Sequence, residues 1–289
     1  VRDSTARTDR LINLSTRARV VAGDGFGTLI TGFVIGGTES KSVLLRGVGP
    51  TLSGFGLSQT LADPRLRVFD AAGRIIAEND NWGGAEELSA TMARVGAFAL
   101  PADSRDAALL LDLAPGVYSV HVLNGGSAGL ALAEIYDAST NPAADYQRLI
   151  NISSRGQVTS GDGVLIGGFS VTGNAPKRVL IRGAGPALAT YGVANPLRDP
   201  QLALFNSAGE RIATNNDWET PVTVDSAQVS ASADEITRVN TRTGAFAFDK
   251  GSKDAAIVVT LAPGSYTAHL SSATSESGVA LIEIYEVVE

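Results

Sequence analysis

The sequence predicts an all-β protein built from two tandem antiparallel β-sandwich domains with a jelly-roll-like arrangement. Three observations lead to this prediction. The chain repeats its own sequence, apolar and polar residues alternate in short runs, and turn-forming residues separate those runs. Alternation with a period of two is typical of strands that bury one face, and many short strands at close spacing are typical of sandwich folds.

The internal repeat is the strongest of these observations. RLINLSTRARVVAGDG at 10–25 returns as RLINISSRGQVTSGDG at 148–163, and residues 28–82 match residues 164–218 at 25 of 55 positions without a gap. Two copies of one plan predict two similar domains, in which any site occurs twice. The predicted divisions are an N-terminal extension or donor-like strand (1–9), a first repeat (10–137), a linker (138–147) and a second repeat (148–289).

Local patterns predict eight or nine strands in each repeat. RLRVFD (65–70) and GVYSVHV (116–122) alternate as half-buried strands do, and their counterparts in the second repeat do the same. LLLDL (109–113) and AIVVTL (256–261) are apolar and β-branched enough to predict central strands buried on both faces. Turn residues such as DAAG, NSAG and APG separate the strands.

One helix at most is expected in each repeat. GGAEELSATMARV (83–95) has the composition of a short helix. The second repeat is longer by about twelve residues between Trp218 and Gly244. Extra length is tolerated best at the surface, so this stretch is predicted to be a surface loop.

Charge and composition limit the cellular location and the kinds of binding partner that we expect for this chain. The 23 basic and 30 acidic residues give a net charge of −7, which argues against a nucleic-acid groove, and no apolar run is long enough to cross a bilayer. With no cysteine, a disulfide scaffold, a thiolate metal site and a cysteine nucleophile are excluded. The chain begins at Val1 without a leader, so we expect a processed or partial bacterial protein that is extracellular or on the cell surface.

Two stretches resemble a known kind of module. DPRLRVFDAAGRIIAENDN (63–81) and LAPGVYSVHV (113–122) are similar to pre-peptidase C-terminal type domains, the β-sandwich modules appended to secreted bacterial proteins. The longer pattern with RLINLSTR and KSVLLRGVGP is similar to repeats near the C-termini of large exported bacterial surface proteins. The resemblance implies attachment, glycan contact or surface assembly, sometimes with bound calcium.

Side-chain oxygens cluster in the strand-turn-strand unit of each repeat. Calcium binds six to eight oxygens from carboxylates, amides and carbonyls, so this unit is a candidate calcium site. The same residue types also form turns without any metal, and both interpretations stay open. The candidate ligands are Asp63, Asp70, Asn79, Asp80 and Asn81 in the first repeat, and Asp199, Asn206, Asn215, Asn216 and Asp217 in the second.

The two tryptophans occupy equivalent positions. Trp82 and Trp218 each close the oxygen-rich loop of their repeat. An aromatic ring at a loop tip can stack on a sugar, which makes both residues candidate carbohydrate contacts. The alternative is a lid over the end of the core.

No catalytic constellation stands out. Arg46 and Arg182 lie in RGVGP and RGAGP, which we interpret as a strand ending in a bend with the arginine paired to an acid. Alternation places His121 and His269 on the polar face of a strand, where no orienting acid or nucleophile is evident. The HExxH motif is absent from the sequence, so we expect no enzyme.

The function expected from these observations is a non-catalytic extracellular structural or adhesive protein. It could assemble head to tail into a fibre or surface layer, with one chain meeting the next as the first repeat meets the second. The alternative is a carbohydrate-binding or accessory module of a secreted bacterial enzyme. The expected partner is therefore another copy of the chain or an extracellular polysaccharide, with calcium as the one candidate cofactor.

Overall fold

The computed structural model describes residues 10–21, 27–140, 148–159, 163–220, 223–224 and 231–287. Strands dominate these residues, as the sequence predicts. The donor-like strand predicted at 1–9 lies outside the described residues, as does most of the linker.

The described residues of the first repeat form eight strands and one α-helix, within the predicted range. The helix α1 carries Glu86 and Glu87 in its first turn and Arg94 in its last, charges that suit the helix dipole. A 3-10 helix spans Pro50–Phe55. The elements are β1 (Arg10–Val20), β2 (Leu29–Gly36), β3 (Lys41–Val48), β4 (Pro64–Asp70), β5 (Ile75–Asn79), α1 (Glu86–Arg94), β6 (Ala107–Leu113), β7 (Gly116–Asn124) and β8 (Gly129–Asp137).

The second repeat follows the same order with one added short strand. The additional residues between Trp218 and Gly244 include β14 and a longer helix, α2. Ser232 caps α2 by accepting a hydrogen bond from the Glu235 backbone, and Gly244 ends it at a φ of 73°. A 3-10 helix spans Pro186–Tyr191. The elements are β9 (Arg148–Val158), β10 (Leu165–Thr172), β11 (Lys177–Ala184), β12 (Pro200–Asn206), β13 (Arg211–Asn215), β14 (Thr223–Val224), α2 (Ala233–Thr243), β15 (Ala255–Leu261), β16 (Gly264–Ser272) and β17 (Gly278–Glu286).

Two long antiparallel runs of strands cross from one repeat to the other. The first run has the order β6–β3–β8–β1–β10–β16–β12–β13–β14. The second has the order β15–β11–β17–β9–β2–β7–β4–β5. Parallel bridges between β1 and β9 link the two runs. Each run therefore continues through strands of both repeats.

The contact between the repeats is reciprocal. Strand β1 of the first repeat pairs with β10 of the second, and the equivalent β9 pairs with β2. Such an isologous contact uses the same surface on both partners and closes on itself. A fibre made by repeating this contact is therefore not expected, and a head-to-tail polymer would need another surface.

The strands predicted to be central lie at the ends of the runs. Among the described pairings β6 forms a ladder only with β3, and β15 forms a ladder only with β11. The apolar sequence of these strands was misleading because helices and loops cover their second face. Ala108 in β6 packs with Met92 of α1, and Val258 in β15 packs with Ile236 of α2.

Three apolar clusters fill the molecule. The largest combines inward-facing residues of both repeats, among them Leu14, Phe33, Ile152 and Phe169. Each of the other two lies between the outer face of the sheet and the helix of one repeat. The two α-helices of the described residues have nine and eleven residues and cannot cross a membrane.

Candidate functional site

A groove of about 440 Å³ lies where the two repeats join. We call it the junction groove. Its floor is the outer face of β9, β2 and β7, where Arg155 lies opposite Ile30 and Ser153 opposite Gly32. A Cβ atom on Gly32 would come within 2.7 Å of Ser153 Oγ, so the glycine allows close packing at this point of the floor. Ser119 of β7 continues the floor.

An aromatic wall from the second repeat borders the groove. Tyr191, at the end of the 3-10 helix, is 62% exposed, and its ring meets Phe246 edge-on with centroids 5.1 Å apart. Leu188, Val193 and Leu281 complete the apolar side. The groove therefore combines an accessible aromatic ring with a partly polar floor.

A buried ion pair lies next to this wall. The guanidinium of Arg182 stacks on Phe246 and Phe248, and its Nη1 is 3.3 Å from Glu283 Oε2. The Tyr285 hydroxyl donates to Glu283 at 2.6 Å. Burial raises the pKa of Glu283, although Arg182 and the Tyr285 hydrogen bond oppose the rise.

The first repeat contains the same buried network. Arg46 Nε lies 3.0 Å from Glu134 Oε2, the Tyr136 hydroxyl donates to Glu134, and Arg46 stacks on Phe98 at 4.2 Å. The predicted pairing of Arg46 and Arg182 with acids is confirmed. Their acidic partners, Glu134 and Glu283, lie on the last long strand of each repeat.

Arg155 gives the floor of the groove its positive charge. Its side chain is half-buried, and within the described ranges it forms no ion pair or hydrogen bond. Burial lowers the pKa of Arg155. Burial, together with the charges of Arg155 and Arg67, also lowers the pKa of His121 to about 4, so His121 is neutral at pH 7. An unpaired, partly desolvated guanidinium is suited to an anionic ligand.

Asp70, the carboxylate that lines the rim of the groove, is held by residues of its own turn. Asp70 accepts hydrogen bonds from the backbone amides of Ala72 and Arg74 and forms an ion pair with the Arg74 side chain at 2.6 Å. These contacts with Arg74 and Ala72 lower the pKa of Asp70. Asp70 is therefore engaged by its own turn and is not paired with Arg155.

Ser119 and His121 lie side by side on the outer face of β7, as alternation predicts. Ser119 Oγ is 3.2 Å from His121 Nε2, and the ring of Phe69 packs against the imidazole with centroids 4.3 Å apart. The charged groups that act on His121 are Arg155 and Arg67. Among the described residues, no carboxylate hydrogen-bonds to the imidazole as the acid of a catalytic triad would.

The tryptophans lie away from the junction groove. Trp82 and Trp218 are 5% and 7% exposed. Their indole groups donate to Pro101 O at 2.9 Å and Asp249 O at 3.2 Å, and both rings pack in the clusters beneath the helices. A carbohydrate site in this structure has to rest on other aromatic residues.

In the first repeat, the candidate calcium ligands are engaged in local contacts. Asn79 donates to Asn81 O and accepts from the Ala108 amide, and Asp80 accepts from Asn81. Asp63 lies 3.5 Å from Arg105. Asp70 is held by its turn, as described above.

The candidate calcium ligands of the second repeat also make local contacts, but some of their side-chain oxygens do not. Asn215 donates to the carbonyl oxygens of Asp217 and Thr220 and accepts from the Ala256 amide. Lys253 binds Asp217 at 3.0 Å. Within the part of the chain that the structure describes, Oδ1 of Asp199, Asn216 and Asp217 is buried and has no hydrogen-bond partner. Among the described residues, no group of three or more His, Cys, Asp and Glu side chains converges as metal ligands would.

The sequence patterns did not predict the roles of two buried aspartates. Asp106 and Asp254 are fully buried and accept hydrogen bonds at 2.7 Å from the backbone amides of Gly49 and Gly185. They hold the bend of RGVGP and RGAGP at the start of each 3-10 helix. The signal was the repeated D-A-A (106–108 and 254–256), whose aspartate directly precedes β6 and β15.

Comparisons with known proteins leave the family open. No family model and no curated protein matches the chain. Among solved structures, a DUF4785 family protein from Legionella pneumophila has a TM-score of 0.26 at 9% identity, covering 96% of this chain and 83% of that chain. Procruciferin, an 11S globulin from Brassica napus, has a TM-score of 0.15 at 9% identity, covering 95% and 74%. Similarities this low carry no argument, and the resemblance to pre-peptidase C-terminal type domains stays a prediction.

Proposed function

We propose that this chain is a non-catalytic adhesive protein of the bacterial cell exterior and that its junction groove binds an acidic polysaccharide. The observation that carries the proposal is the exposed ring of Tyr191 beside the same groove as the unpaired guanidinium of Arg155. The same groove would serve as a targeting surface if the chain were an accessory module of a secreted enzyme.

Each part of the groove suits one part of such a ligand. The apolar face of a sugar ring packs on an aromatic side chain, here Tyr191 or Phe246. A guanidinium binds a carboxylate through two parallel hydrogen bonds, and no described residue accepts a hydrogen bond from the Arg155 side chain. The volume of about 440 Å³ lies within the usual range of small-ligand sites.

The charge of the whole chain opposes an anionic ligand only weakly. Exposed charges farther away than about 8–10 Å are largely screened at physiological salt. Near the groove, Asp70 is neutralised by Arg74, and Glu78 is neutralised by Arg65 and Arg67. Because two arginines share Glu78, one positive charge remains there, and Arg155 adds a guanidinium that forms no ion pair among the described residues.

The finer fold that we propose is a two-layer jelly roll in each repeat. Strand orders β6–β3–β8–β1 and β5–β4–β7–β2 support it, because each gives four antiparallel strands that share one apolar cluster. In the second repeat, β15–β11–β17–β9 and β13–β12–β16–β10 follow the same order. Rigid strands would then fix the floor of the groove.

Calorimetric titration with a trisaccharide of galacturonic acid tests the binding proposal. We expect binding that weakens as salt is added, while the neutral galactose trisaccharide binds at least tenfold more weakly. Arg155→Met and Tyr191→Ala should each weaken binding at the junction groove at least tenfold. Arg198→Met removes an arginine that is 83% exposed outside the groove and is the matched control. Equal binding of the acidic and neutral sugars, or unchanged binding by Arg155→Met, would overturn the proposal.

A further inference from the structure

The first run of strands repeats the floor of the junction groove. In the junction groove, Arg155 pairs with Ile30 and Ser153 with Gly32. In the other run, Arg17 pairs with Ile166 and Ser15 with Gly168. A Cβ atom on Gly168 would lie 2.5 Å from Ser15 Oγ, so this glycine meets the same steric demand as Gly32.

The aromatic wall is repeated as well. Phe55 is 60% exposed and meets Phe98 edge-on, with centroids 4.9 Å apart and an interplanar angle of 64°. The corresponding values for Tyr191 and Phe246 are 5.1 Å and 60°. In both repeats the inner ring covers a buried arginine at 4.2 Å. The two walls are therefore built by the same contacts.

The charge on the floor is also repeated. Arg17 occupies the place of Arg155, and its Nε is buried without a hydrogen-bond partner among the described residues. His269 lies near Arg17 as His121 lies near Arg155, and in both cases burial and the arginine lower the pKa of the histidine. Among the described residues no acceptor satisfies this donor, so Arg17, like Arg155, is a cation of the floor without a counter-charge.

From these three correspondences we propose a second binding groove around Arg17 and Phe55, which makes one chain bivalent for acidic polysaccharide. This inference rests on the proposed function of the junction groove. A bivalent chain holds two polymer strands, or two stretches of one strand, and gains avidity when both sites are filled.

The two grooves differ at their rims. Asp70 and Arg74, which neutralise each other, are replaced by Asn206 and Glu210, and Asn206 donates to Glu210 at 2.8 Å. At these two positions the second rim therefore carries one net negative charge, and Phe55 lacks the hydroxyl of Tyr191. We expect the second groove to bind the acidic sugar several-fold more weakly than the first.

Native mass spectrometry and calorimetric titration with the galacturonic acid trisaccharide test this inference. Wild-type protein should bind two ligands per chain with unequal affinity. The Arg155→Met, Tyr191→Ala double variant should keep only the weaker site, and the Arg17→Met, Phe55→Ala double variant only the tighter one. Phe55→Ala alone, a change at an exposed ring, should weaken the second site if Arg17→Met disturbs folding.

The outcomes separate this inference from the proposed function. One ligand per wild-type chain that is lost with Arg155→Met overturns the second groove and leaves the junction groove in place. No binding to the wild type overturns both. A second ligand that Phe55→Ala and Arg17→Met do not affect places the second site elsewhere and also overturns this inference.

Discussion

The guanidinium carbon of Arg182 lies 4.2 Å from the centre of the Phe246 ring. Phe246 thereby has two roles, since the same side chain lines the junction groove and covers a buried charge. The position of the groove wall therefore depends on an ion pair inside the protein. Changes to that pair are expected to affect both stability and binding.

Breaking the buried pair should destabilise the protein strongly. Arg182→Met leaves Glu283 buried without its counter-charge, which costs about 3–5 kcal/mol in comparable cases. Urea denaturation should show this loss in the free energy of unfolding. Replacing both residues, Arg182→Met with Glu283→Met, should recover part of it because no unpaired charge remains. Equal losses in the single and double variants would contradict this account.

The tryptophans should matter for stability and leave sugar binding unchanged. Trp82→Ala removes a ring that is only 5% exposed, and such truncations cost about 3–5 kcal/mol. Trp82→Phe should cost less and stay folded at 25 °C. Titration of Trp82→Phe with the galacturonic acid trisaccharide should reproduce the wild-type affinity. A large loss of affinity in this variant would return the tryptophan loops to the list of binding sites.

Acid should weaken the protein partly through His121. Its pKa is about 4 in the folded protein against an ordinary value of 6.5, so the unfolded chain binds more protons between these values. Stability from this residue is complete above pH 6.5 and is lost as the pH falls towards 4. The difference in unfolding free energy between wild type and His121→Gln should therefore shrink from pH 7 to pH 4. A constant difference across that range would show that His121 titrates normally.

Calcium should not raise the melting temperature of the wild-type protein. Asp217 and Asp63 already lie beside the cations Lys253 and Arg105, which a calcium ion would have to displace. Calorimetric melting with calcium and with a chelator measures the effect, since a bound ligand stabilises the folded state by mass action. Lys253→Ala is the informative variant, because a calcium-dependent rise confined to it would show that Lys253 occupies the place of the metal. A rise in the wild type would contradict the prediction.

Local features of the fold were readable from the sequence. Alternation placed Ser119 and His121 on the outer face of their strand, and composition placed a helix between Gly83 and Val95. These features depend on residues close together in the chain, so a short window contains the information. The pairing of Arg46 with an acid could also be predicted, because an arginine inside an apolar strand needs a counter-charge.

Long-range features were not readable. Strands β1 and β9 have nearly the same sequence, so no hydrophobic pattern decides whether β2 pairs with one or the other. The structure pairs β2 with β9, and only this choice brings Arg155 beside Ile30. The groove therefore depends on a register that the sequence does not encode locally. The exposed Tyr191 gave no signal because a single aromatic residue in a turn has no period.

The reciprocal strand pairings relate the two repeats to each other as the subunits of an isologous dimer are related. A single repeat expressed alone would leave β1 and β2 without their neighbours from the other half, and unpaired strand edges recruit partners. Such a half-chain should assemble with a second copy of itself. The connector between the repeats then chiefly raises the local concentration of two halves that already fit each other.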